Sequence, residues 1–247
     1  MKRILIIGAT SAIAAACARA WLAEEKCQFV LTGRNQERLQ ILKNDLEARG
    51  AISVSPLVLD INQYDQHQAV LNEAIATLGQ LDIVLVAPGT LPDQTECQNN
   101  AITAVAEFNN NATALISLLT HIANHLELQR CGQLGVISSV AGDRGRGSNY
   151  LYGAAKAAVS AFCSGLMMRL AKANVSVTLI KPGFVRTPMT AGLPLPEKLV
   201  ASPEQVAALI VKGIAQQRTT LYAPGFWRYI MLVIRLIPDP IFRRLSL

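Results

Sequence analysis

Seven short runs rich in Val, Ile and Leu recur along the chain, at residues 3–7, 28–32, 52–59, 83–87, 134–138, 175–180 and 219–222. Segments of helical pattern lie between them, at 12–25, 36–49, 63–78, 101–128, 152–172 and 203–216. Runs such as Ile4-Leu5-Ile6-Ile7 and Ile83-Val84-Leu85-Val86 are apolar throughout instead of alternating, so both faces of each strand must be covered. Strands of that kind, separated by helices, pair in parallel with helices packed on either side. The pattern predicts an α/β fold with one doubly wound, seven-stranded parallel sheet, in a single domain over residues 1–247. No composition break, fixed-period repeat or low-complexity segment divides the chain.

The composition agrees with a well-buried core. Apolar residues make up 51% and charged residues 16%, with a mean hydropathy of +0.30, which excludes a disordered chain. The net charge is +6, but the basic residues are spread out and do not alternate with aromatics, so no nucleic-acid partner is expected. An anionic cofactor, an anionic substrate or an acidic membrane surface accounts for the sign. Five cysteines without a C-x-x-C pair read as reduced thiols of a cytoplasmic protein. The apolar run after Met1-Lys2-Arg3 is too short for a signal peptide and passes into a glycine turn, so it reads as the first strand.

That turn, Gly8-Ala9-Thr10-Ser11-Ala12-Ile13-Ala14, lies between the first strand and the first helix, where a Rossmann fold holds the pyrophosphate of a dinucleotide. Thr10 and Ser11 offer hydroxyls, and the helix start at Ala12 and Ile13 offers N–H groups. The second strand ends Leu31-Thr32-Gly33-Arg34-Asn35. It has no carboxylate to accept from a ribose 2′-hydroxyl, and Arg34 is suited to a 2′-phosphate, so NADP(H) is expected in preference to NAD(H).

The chemistry-bearing stretch is Ser139 to Lys156. A strand-like run ends in Ser138-Ser139, a Gly- and Arg-rich loop follows, and Tyr152 and Lys156 then stand four apart at the start of an Ala-rich helix. Residues four apart share a helix face, so the phenol and the ammonium point into one pocket. The nearby positive charge is expected to lower the phenol from its ordinary pKa of about 10, tuning it for proton exchange. Ser139, at the strand end, can donate to an oxygen that Tyr152 also touches.

Together these features resemble the short-chain dehydrogenase/reductase family, from Ile4 to the C-terminus. The resemblance implies hydride transfer between a nicotinamide cofactor and a carbonyl or alcohol substrate. Tyr152 would be the acid/base, Lys156 its partner and a ribose ligand, Ser139 the group that polarises the carbonyl, and Asn111 the support of a water-linked proton path. It also implies cofactor contacts at Gly8, Asp60 and Ile61, at Ala87, Pro88 and Gly89, and in the Pro182-Gly183…Val185…Thr187 loop. Ala12 and Ala14 stand where the family has its second and third glycines. Val86-Ala87-Pro88-Gly89 replaces the usual Asn-Asn-Ala-Gly, so that loop is expected to lose its side-chain bracing. Residues 189–200 suit a mobile substrate lid, and the resemblance implies a homodimer or homotetramer built on the long helices at 101–128 and 152–172. His121 and His125 are four apart but have no further ligand, so no metal is expected.

The C-terminal segment, 223–247, combines aromatics and long aliphatics with Arg228, Arg235, Arg243 and Arg244 against Asp239 alone. Two readings stay open: peripheral contact of 226–247 with an anionic membrane at the inner face, or a helix that closes the substrate pocket or pads a subunit interface. This tail and the loop Ala141-Gly142-Asp143-Arg144-Gly145-Arg146 resemble the decaprenylphosphoryl-2-keto-ribose reductase branch. That implies a small-molecule or lipid-linked carbonyl substrate, such as an amphiphilic keto-sugar phosphate, with Arg144 among its ligands. A non-catalytic NADP-sensing protein on the same fold is the alternative.

Overall fold

The computed structural model describes residues 1–245, so Ser246 and Leu247 of the expected tail segment lie outside the described residues. In chain order the elements are β1 (Lys2–Ile7), α1 (Ala12–Glu24), β2 (Cys27–Gly33), α2 (Gln36–Ala48), β3 (Ser53–Val58), α3 (His67–Leu78) and β4 (Ile83–Val86). Then come α4 (Gln94–Asn99), α5 (Ala101–Phe108), α6 (Ala114–Gln129), β5 (Gln133–Ile137), α7 (Tyr150–Ala171) and β6 (Ser176–Pro182). The two-residue strands β7 (Phe184–Val185) and β8 (Val200–Ala201) follow, with α8 (Pro203–Ala215), β9 (Thr220–Ala223), α9 (Trp227–Leu236) and α10 (Asp239–Phe242).

The main sheet has seven strands in the order β3-β2-β1-β4-β5-β6-β9, every pair parallel. The alternation of apolar runs and helices therefore predicted this Rossmann-type α/β sheet correctly. The continuous runs are continuous for the expected reason: Ile4, Ile6, Phe29, Leu31 and Leu85 face a core formed with α1, α2 and α8. Leu5, Ile7, Val30, Val84 and Val86 face the other core, formed with α3, α6 and α7. The chain leaves β1 toward β2 on one side and returns to β4 on the other, so a crevice opens at the carboxyl ends of β1 and β4.

The expected helix at 101–128 is continuous but carries a π-bulge. The bulge, over Asn109–Thr113, lies between α5 and α6 in a stretch of three asparagines, residues with weak helix preference. The short pair β7·β8 closes the base of the 186–199 segment. α9 is amphipathic: Trp227 and Met231, four apart, are buried on Val140 and Phe184, while Tyr229, Leu232, Val233 and Leu236 are exposed.

Candidate active site

A cleft of about 470 Å³ opens at the crevice between β1 and β4. Gly8, Thr10, Ser11, Ala12 and Ile13 line one end. Gly8 has φ +75°, and a Cβ on it would come within 2.9 Å of the Pro88 nitrogen, so both the turn and the close approach require glycine. α1 starts with no side-chain cap from Ser11 and no acidic residue in its first turn, leaving its N–H groups open toward the cleft. Ala14, by contrast, is fully buried in the core, where its methyl fits helix-to-strand packing. Thr32 and Arg34 also line this end, with Arg38 one helical turn beyond. The Thr32 hydroxyl is buried and unpartnered. An open helix N-terminus, a glycine cradle and an orphaned hydroxyl beside two arginines fit a phosphorylated dinucleotide.

Along the middle of the cleft run Ile61, Ala87, Pro88 and Gly89, and opposite them Pro182, Gly183, Val185 and Thr187. Asp60 is not part of the lining; one of its carboxylate oxygens accepts from the Asn62 backbone N–H at 3.0 Å and from the Asn62 side-chain amide at 3.3 Å.

Ser139, Tyr152 and Lys156 share one wall. Their convergence depends on two close backbone approaches. A Cβ on Gly142 would lie 2.8 Å from the Lys156 carbonyl carbon, and one on Gly153 would lie 2.9 Å from the Ala141 oxygen. The turn after Ser139 thus sits directly on the first two turns of α7. Ser138 faces inward, its hydroxyl donating to the Lys156 carbonyl at 3.0 Å and sharing a 2.9 Å bond with Ser160. Ser139 is left facing the cleft, its oxygen accepting from the Ala141 N–H at 3.1 Å. The Lys156 nitrogen lies 5.6 Å from the centre of the Tyr152 ring. Asn111 is fully buried behind it, and a Cβ on Gly89 would touch both groups, 3.1 Å from Lys156 Nζ and 3.2 Å from Asn111 Oδ1.

The titration of this group departs from the expectation of a depressed phenol. Burial pushes Tyr152 up to about 12, with hydrogen bonding from Ser139 opposing part of the rise. Burial also pulls Lys156 down to about 8, so its hold on the proton is weakened although it remains an ammonium at neutral pH. Desolvation outweighs charge attraction here, and Tyr152 stays protonated at neutral pH. A protonated phenol is a proton donor, the form needed when a carbonyl is reduced.

The short chain dehydrogenase family model matches residues 2–198. The chain belongs to the short chain dehydrogenase family. It is 34% identical over 242 residues to an uncharacterised oxidoreductase of Mycobacterium tuberculosis, covering 98% of this chain and 96% of that one. An uncharacterised oxidoreductase of Streptomyces coelicolor is likewise 34% identical over 245 residues, covering 99% and 96%. A crystal structure from Sinorhizobium meliloti, assigned as a short-chain alcohol dehydrogenase, superposes with a TM-score of 0.83 over 92% of this chain and 96% of its own, at 20% identity. At family level this short chain dehydrogenase is a hydride-transferring oxidoreductase with a nucleotide-binding fold and the capacity to bind NAD(P).

Two features of this short chain dehydrogenase differ from what the sequence suggested. The β4 loop is braced after all: Pro88 packs on Gly8, and Asn111 clamps Thr90 from both sides. Asn111 Oδ1 accepts from the Thr90 N–H at 2.9 Å while Asn111 Nδ2 donates to the Thr90 hydroxyl at 2.9 Å. Thr90, which had no signal in the sequence, ties the loop to Asn111. The second difference is Arg144, expected at the substrate. It lies outside the cleft and caps the end of α9, donating at 2.6 Å to the carbonyls of both Ile234 and Ile237 and at 2.8 Å to Asp239. Its guanidinium also stacks 3.7 Å from the centre of the Phe242 ring. The arginine of that loop that does line the cleft is Arg146.

Proposed function

We propose that this short chain dehydrogenase reduces a carbonyl on an amphiphilic substrate, using NADPH, and runs the reverse oxidation when conditions favour it. The observation that carries the reading is the protonated Tyr152 phenol beside Ser139 and Lys156 on one wall of the cleft. Bound in the cleft, the reduced nicotinamide supplies a hydride to the carbonyl carbon. Ser139 donates to the carbonyl oxygen and orients it, and Tyr152 gives its proton to that oxygen as negative charge develops. Lys156 holds the cofactor ribose and stands behind the phenol, with Asn111 linking this wall to the β4 loop. Arg34 and Arg38 both face the adenosine end without an ion pair among the described residues, which supports a 2′-phosphate and hence NADP(H) over NAD(H).

Several features support a greasy substrate delivered at a membrane. Leu91, Phe184, Met189, Leu193 and Leu195 line the cleft on the side of the 189–200 segment, which we assign as the lid. The outer face of α9 exposes Tyr229, Leu232, Val233 and Leu236, with Arg228 and Arg235 on the same helix, a pattern suited to peripheral contact with anionic lipid at the inner membrane face. With the resemblance to decaprenylphosphoryl-2-keto-ribose reductases, this favours a lipid-linked keto-sugar phosphate. Ile102, Val105 and Leu128 on α5 and α6, and Met168 on α7, are exposed apolar residues that suit a homodimer built on these helices. The five free cysteines suit a cytoplasmic location.

The deciding experiment is Tyr152→Phe, assayed with NADPH against a carbonyl panel. Turnover is expected to vanish while NADPH affinity stays within a few-fold; retained turnover rejects the assignment. Efficient reduction of small soluble ketones, with no binding to anionic vesicles, would remove the lipid-linked part of the reading alone.

A further inference from the structure

We infer that Arg146, on the loop that ends at Asn149, forms an anion subsite for the substrate, so that the carbonyl compound reduced here carries a phosphate or carboxylate beside the reacting carbon. This rests on the functional reading above and narrows its substrate class. Both side chains line the cleft on the loop that leads into α7, with Tyr152 less than one helical turn beyond Asn149. Arg146 carries a buried donor without a partner, its Nε. The guanidinium makes no hydrogen bond or ion pair among the described residues. A partly buried guanidinium without an ion pair is costly, and a bound anion resolves it.

The charges around it leave that role open. Asp143, the one carboxylate that bears on Arg146, is already committed. It pairs with Lys181, and its other oxygen accepts from the Tyr222 hydroxyl at 2.7 Å. Arg144, two residues earlier, is spent on the α9 carbonyls and on Asp239. Arg146 is therefore the only arginine of the 140–149 loop that faces the cleft. Burial lowers its pKa from the ordinary value and the Asp143 charge offsets only part of that, but guanidinium stays protonated at physiological pH. Its planar fork matches the paired oxygens of a phosphate or carboxylate. The N-terminus of α7 has no acidic residue in its first turn, and the only side chain among the described residues that accepts from it there is the neutral Gln94, so its positive end adds to the field on the same side. Met189, Leu193 and Leu195 line the same cleft, so it offers surface to both an anionic head and an apolar body.

The test is calorimetric titration of phenyl phosphate, benzoate and neutral benzyl alcohol into the enzyme saturated with NADP⁺, so that cofactor phosphate sites are filled. The anions are expected to bind at least 10-fold more tightly than benzyl alcohol. Arg146→Gln should lose at least 10-fold of that anion affinity, Arg146→Lys should retain part of it, and NADP⁺ affinity should stay within two-fold in both variants. Equal anion binding by wild type and Arg146→Gln overturns the subsite, as does binding that NADP⁺ abolishes, which would place the anion in the cofactor's own phosphate pocket. If NADP⁺ fails to bind, the cofactor reading falls; the same titrations on the free protein then still decide whether Arg146 holds the anion.

Discussion

The indole of Trp227 fills the space above Gly183: a Cβ on that glycine would lie 1.9 Å from the indole Nε1 and 2.0 Å from Cε2. Trp227 is 2% exposed and meets Phe184 edge to face at 5.0 Å, so the first turn of α9 and the 182–187 loop beside the cleft form one packed unit. Gly183→Ala cannot be accommodated without moving a rigid ring, and overpacking of this kind costs about 1–3 kcal/mol. Trp227→Ala leaves a cavity and is expected to cost about 3–5 kcal/mol. The two changes should not add, because the space vacated by the indole accepts the new methyl. In urea unfolding, the double variant is expected to be no less stable than Trp227→Ala alone. Simple additivity would show that the two residues do not share this space.

Ser138 and Ser139 are adjacent but divide structure from chemistry. Ser138 is buried and ties β5 to α7 through the Lys156 carbonyl and Ser160. Ser138→Ala should cost about 1 kcal/mol of stability, since Ser160 still donates to the same carbonyl at 2.7 Å, and leave kcat largely intact. Ser139→Ala should lower kcat by two orders of magnitude or more, the scale of removing one donor to a developing oxyanion, with little change in melting temperature. Thermal melts and steady-state kinetics on the two variants check this. The reversed pattern would mean that the wrong serine faces the substrate.

Most of the sheet was legible because a buried parallel strand leaves no choice of face: every residue of Ile4-Leu5-Ile6-Ile7 must be apolar, and the run shows it. The Ser139, Tyr152 and Lys156 wall was legible for a similar reason, since two of its members are fixed by helical spacing and the third by a strand end. Arg144 was misplaced because sequence places an arginine on a loop without saying which way its long side chain turns. The carbonyls that claim it, at Ile234 and Ile237, are some ninety residues away. Thr90 was invisible because its value lies in matching both ends of the Asn111 amide, a pairing that only the fold creates. The phenol's pKa was misjudged because charge attraction can be read from spacing, whereas burial cannot.

Arg34 and Arg38 stand four apart where β2 gives way to α2, and the Asn35 side chain, which accepts from the Arg38 N–H at 2.8 Å, fixes the helix start between them. Charged hydrogen bonds are worth about 1.5–3 kcal/mol each, so Arg34→Leu should weaken NADPH binding about 10- to 100-fold and leave NADH nearly unchanged. Arg38→Leu should act in the same direction, and the NADPH preference should fall as salt is raised. Fluorescence titration of both nucleotides into each variant measures it. Equal loss for NADH and NADPH would place the arginines on the adenine or pyrophosphate instead of a 2′-phosphate.

Lys156 and Tyr152 give the protein opposite dependences on alkali. Lys156 is 2% exposed and is drawn down to about 8 from 10.5, so the native state gives up its proton before the unfolded state does. Below pH 8 the lysine is charged in both states and the cost of burying it is fully present. Between about 8 and 10.5 the unfolded chain binds more protons, so this contribution makes stability rise with pH, by as much as about 3 kcal/mol in total. Tyr152 runs the other way: its phenol is pushed up to about 12 from 10, so above pH 10 the unfolded chain is the one that loses its proton and stability falls. The buried thiols of Cys17 and Cys163, also raised by burial, contribute a decline of the same sign as the tyrosine. Comparison with Lys156→Met cancels the tyrosine and cysteine contributions and isolates the lysine. Urea unfolding of both proteins from pH 7 to 10 should show wild type gaining on the variant, most steeply above pH 8. Parallel curves would mean that Lys156 carries its charge without a burial cost.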